Sequence, residues 1–182
     1  MSQQLPGELF EKLKSLVGLC DQDLQNLELL RPIVEKHGPE ITDRFYATLA
    51  TLPETARFIE GRVDALKQTH RQWMRSMVTG PYDYSYLESR WRIGMAHVRI
   101  GLDPYWVECI MSFVRTAMCE AISQEVESTK SCANLCATFV KLCDLDLMVV
   151  NLSYAEVRLE RLTSFTGMKR TLIENIIRLP RK

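Results

Sequence analysis

Along almost its whole length the chain repeats apolar residues at spacings of three and four, the period of a helix that buries one face, and this periodicity predicts an all-α fold. Leu9, Phe10, Leu13, Leu16 and Val17 form the stripe of a leader helix from about Pro6 to Leu19. Leu24, Leu27, Leu30, Ile33 and Val34 continue on a second helix, with Asp21 or Asp23 as its cap. Pro32 predicts a kink or break there, and His37-Gly38-Pro39 predicts a stop followed by a new start at Glu40, because glycine closes helices and proline opens them. The third helix, to about Thr51, presents Ile41, Phe45, Leu49 and Leu52 on one side, with Tyr46 beside them. A short turn-like helix that begins at Leu52-Pro53-Glu54 and runs through Ile59, and a separator at Gly61, precede a long one, Arg62 to about Thr79, whose inner face holds Val63, Leu66, Thr69, Trp73 and Met77.

Gly80-Pro81-Tyr82-Asp83-Tyr84-Ser85 combines turn residues without an apolar period and reads as a loop. Beyond the helix from Tyr86 to Ile100 lie two much longer segments, about Pro104 to Val126 and Ser131 to Arg161. Ile110, Val114, Ala117 and Ala121 line the first, and Leu135, Phe139, Leu142, Leu145 and Val149 the second. Both are longer and more apolar than one ligand pocket requires, which marks association. The end of the chain turns charged, with Gly167 as an interruption and Pro180 as a stop.

A chain of 182 residues is long enough to bury one good core. Basic and acidic residues balance at 23 each, so no global field recruits nucleic acid or an anionic membrane. No apolar run approaches the ~20 residues of a bilayer span, and the opening Met-Ser-Gln-Gln-Leu-Pro lacks an export pattern, so the expected location is the cytoplasm. Six cysteines, Cys20, Cys109, Cys119, Cys132, Cys136 and Cys143, fall in apolar-periodic segments without a C-x-x-C pair and read as buried thiols. Cys132, Cys136 and Cys143 share a helix face, but three thiolates on one helix cannot surround a zinc ion.

The chemistry concentrates between Arg92 and Trp106. Gly101 suits the left-handed residue that closes a helix, and Asp103-Pro104 an N-cap and first turn of the next, which puts His97 one turn before a helix end. Met95, Ala96, Val98 and Ile100 surround the imidazole with apolar groups. By residue type alone such a histidine is more often a packed or surface residue than a ligand. The whole string decides otherwise. His97, Arg99, Ile100, Gly101, Leu102, Pro104 and Trp106, as His-x-Arg-Ile-Gly-Leu-x-Pro-x-Trp, resemble the proximal-histidine signature of the globin domain in globin-coupled sensors, a family related to protoglobins and single-domain sensor globins.

The resemblance covers about residues 20 to 160 and implies a globin fold with an extra N-terminal helix, binding one haem b with His97 as axial iron ligand. It implies O2, CO or NO as ligand. Tyr46 matches the family's distal tyrosine, next to Phe45, and Leu66 with Thr69 matches a leucine followed three residues on by a hydroxyl side chain. Phe45, Trp73 and Ile100 complete the expected pocket. His70, a conceivable sixth ligand, adjoins Thr69 and is expected to point about 100° away from the pocket. One departure concerns the residue after Trp106. Many relatives have a tyrosine there, able to bond on the proximal side, where this chain has Val107, and Tyr105 is the candidate to compensate.

The family pairs its last two helices in a homodimeric four-helix bundle, which is the expected assembly here. Residues 1–20 read as a leader helix, 21–162 as the sensor globin domain, and 163–182 as a charged extension or the start of a linker. No cyclase, kinase or P-loop motif occurs in the chain, so it reads as a sensor and not an enzyme. Its output would be a domain such as a diguanylate cyclase or chemotaxis transducer. The alternatives are a haem enzyme that detoxifies nitric oxide with oxygen and a haem-free helical dimerisation module.

Overall fold

The computed structural model describes residues 7–179, and among them the chain forms eight helices and no strand. These are α1 (Gly7–Leu16), α2 (Asp21–Thr51), α3 (Pro53–Ile59), α4 (Val63–Met77), α5 (Tyr84–Ile100), α6 (Pro104–Glu125), α7 (Thr129–Thr166) and α8 (Arg170–Arg178). The expected start at Pro6 and stop at Pro180 lie outside the described residues.

The break expected at Pro32 and the stop at His37-Gly38-Pro39 are not there: α2 is one continuous helix with both prolines inside it. Pro32 and Pro39 stand two turns apart on the solvent side. Glu28 and Glu35, whose carbonyls lose their helical donor to those prolines, are exposed as well. On the opposite side Leu27, Leu30, Ile33, Val34, Ile41, Phe45 and Tyr46 are buried. At roughly 1.5–3 kcal/mol for each buried apolar side chain, this stripe outweighs about 3 kcal/mol for each proline. The N-cap of α2 is Cys20, not Asp21 or Asp23, and Asp23 serves from inside the first turn by accepting from the Cys20 backbone N–H at 3.0 Å.

Elsewhere the punctuation holds, except that α5 begins at Tyr84, inside the loop expected to run to Ser85. Gly101 takes the left-handed conformation at the end of α5 (φ 73°) and Gly167 does so at the end of α7 (φ 69°). The Asp83 carboxylate caps α5, accepting from the backbone N–H groups of Ser85 and Tyr86. Past Gly167, α8 returns to the body through buried Ile173 and a two-pronged ion pair from Arg170 to Glu156 at 2.6 and 2.7 Å.

The core lies between α2, α4, α5, α6 and α7, with Met74, Met77, Val114, Met118, Leu142, Leu145 and Val149 fully enclosed. Val114, Ala117, Ala121, Leu135, Phe139, Leu142, Leu145 and Val149, expected to give the two long helices an associating face, are buried inside the domain. The half-exposed apolar residues of α7 are others, among them Val140, Met148 and Leu159. The cysteines also depart from expectation. All six are free thiols, but only Cys143 is buried, while Cys20 and Cys109 are exposed and the rest lie in between. An apolar period places a residue near a buried face without placing its sulfur there.

α5 and α7 approach closely at Gly94, where a Cβ would lie 1.7 Å from Ser153 Oγ and 2.7 Å from the Val150 carbonyl oxygen. The serine hydroxyl can rotate; the backbone carbonyl cannot. Gly94→Ala should therefore destabilise the protein by about 1–3 kcal/mol and lower Tm by at least ~3 °C. Gly38→Ala, whose Cβ would meet nothing nearer than Met74 at 3.9 Å, should leave Tm unchanged or raised, because alanine suits a helix interior. Calorimetry of both variants checks the pair, and equal effects would contradict the packing described.

Candidate functional site

All seven residues singled out for a pocket border one apolar cavity: Phe45 and Tyr46 from α2, Leu66, Thr69 and Trp73 from α4, and His97 and Ile100 from α5. The cavity is completed by groups the sequence did not single out, including Phe58 and Ile59 from α3 and Ile93 one turn before His97. Ile93 was findable, because residues three and four apart share a helix face.

His97 is held by the last turns of α5, whose register against α7 is fixed at Gly94. Burial pushes the His97 imidazole down to about 4, so it is neutral at pH 7 and its ring carries a free lone pair. Its Nδ1 is buried without a hydrogen-bond partner among the described residues. Tyr105 does not compensate for Val107, since it is exposed and packs on Trp106. The nearest phenol to His97 is Tyr154 of α7, with ring centroids 6.3 Å apart, but its hydroxyl donates to the Leu102 carbonyl at 2.8 Å.

Tyr46 is buried, and desolvation pushes its hydroxyl up to about 12, which keeps it a proton donor. Thr69 borders the cavity, yet its hydroxyl donates to the Ala65 carbonyl at 3.0 Å, one turn back on its own helix. The expectation for His70 is corrected. Its side chain also borders the cavity, packed between Phe45 and Trp73 at ring centroid distances of 5.0 Å each. An angular step of 100° separates adjacent residues at the helix surface, but a long ring can lean back, and here Thr42 of α2 draws it in with a hydrogen bond at 2.9 Å to Nδ1. Burial lowers the His70 imidazole to about 4.

The wall of the cavity includes a buried ionic group centred on Asp146. The Asp146 carboxylate of α7 accepts from Arg90 Nε of α5 at 3.0 and 3.1 Å, from the Tyr86 hydroxyl, and from Trp73 Nε1 of α4 at 2.7 Å. Burial pushes the carboxyl upward, and these donors oppose it. One of two aspartates in a long helix, Asp146 beside Asp144, gives no sequence signal of three partners so far away.

Residues 7–160 match the Protoglobin family. The chain belongs to the protoglobin family. This globin is 24% identical over 160 residues to the heme-based aerotactic transducer HemAT of Halobacterium salinarum, covering 81% of this chain and 33% of the relative. It thus spans about a third of that protein. Among solved structures it resembles the globin domain of a Geobacter sulfurreducens globin-coupled sensor, with 31% identity, a TM-score of 0.75, and coverage of 79% of this chain and 96% of that one. The ferric globin domain of E. coli DosC shares the fold at 16% identity and a TM-score of 0.68, covering 80% and 99% of the two chains. This globin is accordingly a globin domain of the globin-coupled sensor kind.

Two histidines buried as neutral rings make acid stability predictable. In the unfolded chain each titrates near 6.5, against about 4 in the fold, so below pH 6.5 the unfolded state gains protons that the folded state refuses. Stability is therefore complete above about pH 6.5 and falls as pH approaches 4, by on the order of 3 kcal/mol per histidine. Urea midpoints of the cofactor-free protein against pH should show this slope, and a His70→Leu/His97→Leu variant should flatten it. An identical slope in the variant would contradict the assignment.

Proposed function

We propose that this domain binds haem b in the cavity, where His97 would hold the iron, and senses a diatomic gas, O2, CO or NO. One observation carries the reading: in a protoglobin fold, a buried neutral imidazole at the most specific stretch of the sequence borders an apolar cavity. The donor set fits the group. The buried His97 ring is neutral, and no hydrogen bond among the described residues holds its Nδ1, so the imidazole is free to present a nitrogen lone pair to a mostly apolar cavity, which is what an iron porphyrin needs from its site. When bound, haem supplies an iron able to hold a proximal nitrogen and a gas molecule.

The side chains divide the remaining work. His97 binds and orients; Phe45, Ile100 and Leu66 exclude water; Leu66 restricts entry by its bulk. The Tyr46 hydroxyl keeps its proton in this apolar setting and donates a hydrogen bond to the gas, where low dielectric strengthens it. Thr69 serves as a second donor only by releasing the Ala65 carbonyl, so Tyr46 takes precedence.

Signalling follows the buried contacts. Trp73 packs on His70 and donates to Asp146 of α7, while Arg90, on the same helix as His97, bonds the same carboxylate. A shift of α4 or α5 is thus felt at α7. The outer flanks of α6 and α7 pair in a homodimer, and gas ligation biases the pair by as much free energy as the gas distinguishes its two states. Any output activity, such as a diguanylate cyclase or chemotaxis transducer, lies in another domain, and the chain works as a sensor in the cytoplasm.

With haem supplied, the purified protein should show a Soret band that moves on reduction and again on adding O2, and absence of any band would defeat the reading. Tyr46→Phe should release O2 about tenfold faster by stopped flow, the effect of losing one hydrogen bond. An unchanged rate would remove Tyr46 from the mechanism.

A further inference from the structure

We propose that Cys119 of α6 and Cys136 of α7 form a thiol modification site, at which a small disulfide of the glutathione class installs a bond between the two helices. The inference goes beyond the haem reading and does not depend on it, since neither cysteine borders the cavity.

Cys132 and Cys136 share one face of α7, and the fold brings Cys119 to them from another helix. α6 ends at Glu125 and α7 begins at Thr129, so the two helices form a hairpin. Cys119 and Cys136 each stand roughly two turns from its connection. Across the hairpin, Cys136 Sγ donates to the Cys119 carbonyl oxygen at 3.9 Å. All three thiols are half-buried. Burial, and then the adjoining Cys119 and Cys132 thiols, push the Cys136 thiol up to about 12.

Geometry selects the pair. Residues four apart on a helix hold their Cβ atoms about 5–6 Å apart, whereas a disulfide needs about 3.5–4.5 Å, so Cys132 and Cys136 cannot join without unwinding α7. Cys119 approaches from a separate helix and meets no such limit.

Access sets the order of events. Cys119 borders a surface groove with Arg115, Thr116, Glu120 and Ser123, so it meets the oxidant first. Its thiolate attacks one sulfur of the small disulfide, forming a mixed disulfide and expelling one small thiol, which takes up the Cys119 proton. Cys136 then attacks the Cys119 sulfur and expels the second small thiol, which takes up the Cys136 proton. Two protein thiols are thereby oxidised to one disulfide, and the small disulfide is reduced to two thiols. Little of Cys136 is thiolate at pH 7, but its attack is intramolecular, and that proximity compensates. In a reducing compartment such a bond is transient and reports oxidation. It restrains helices that also wall the cavity, through Ile110 and Met111 of α6 and Asp146 and Val150 of α7.

The test is non-reducing peptide mapping by mass spectrometry of the full chain, first reduced and then equilibrated with oxidised glutathione, with fragmentation to assign each sulfur. The wild type should run as a single chain on a non-reducing gel and give a Cys119-to-Cys136 linked pair, about 2 Da lighter than the two reduced peptides for the two hydrogens lost. Cys136→Ala should stop at the first step, with at least about tenfold more glutathione on Cys119 than in the wild type. Cys132→Ala should form the bond as the wild type does. If Cys136→Ala does not fold, the wild-type map decides by itself. A bond to Cys132 as the main product, a disulfide between two chains, or a Cys119 that keeps glutathione or stays unreacted in the wild type overturns the proposal. Each of these results leaves the haem reading intact, because the Soret band tests that separately.

Discussion

The Asp146 carboxylate is the point on which the arrangement of the pocket depends. It is buried, and it gathers Trp73 from α4, Tyr86 and Arg90 from α5, and its own helix α7 into one group. A carboxylate and a guanidinium taken out of water are tolerable only while they face each other with their remaining sites satisfied. Removing either leaves a buried charge worth several kcal/mol of destabilisation, so α4, α5 and α7 keep a common register. The histidines of the cavity stand on two of those helices. Gly94 supplies the complementary constraint, since with a Cβ at that position the helix of His97 could not lie against Val150 and Ser153.

On this scaffold the two sides of the cavity are built differently. The His97 imidazole has no hydrogen-bond partner on Nδ1 among the described residues, and the apolar Val107 side chain can offer none. An imidazole without a partner on its second nitrogen is the less basic for it. The opposite holds around His70, where hydroxyl, aromatic and ionic contacts are layered outward from the ring. These contacts link the α4 side of the cavity to α7.

Much of the fold was legible in the residues, for physical reasons. The glycines at 101 and 167 closed helices because only the left-handed conformation does so at low cost, and the loop before α5 was marked by the absence of an apolar period. Pro32 and Pro39 misled, because a local rule yields when the freed carbonyls face solvent and a buried stripe runs on behind them. The pocket residues on one helix face were legible through spacing and through the resemblance of the His97 string. His70 was not, because its inward lean depends on Thr42, 28 positions away. Nor was the Asp146 group, whose partners lie 56 to 73 positions from it.

The central claim is that His97 holds the haem iron. The most direct measurement is the absorption spectrum of haem-loaded His97→Gly protein, before and after adding free imidazole. The account predicts a Soret band lost or displaced in the variant and restored to the wild-type position as imidazole takes the vacated place. A wild-type spectrum in His97→Gly without imidazole would contradict it.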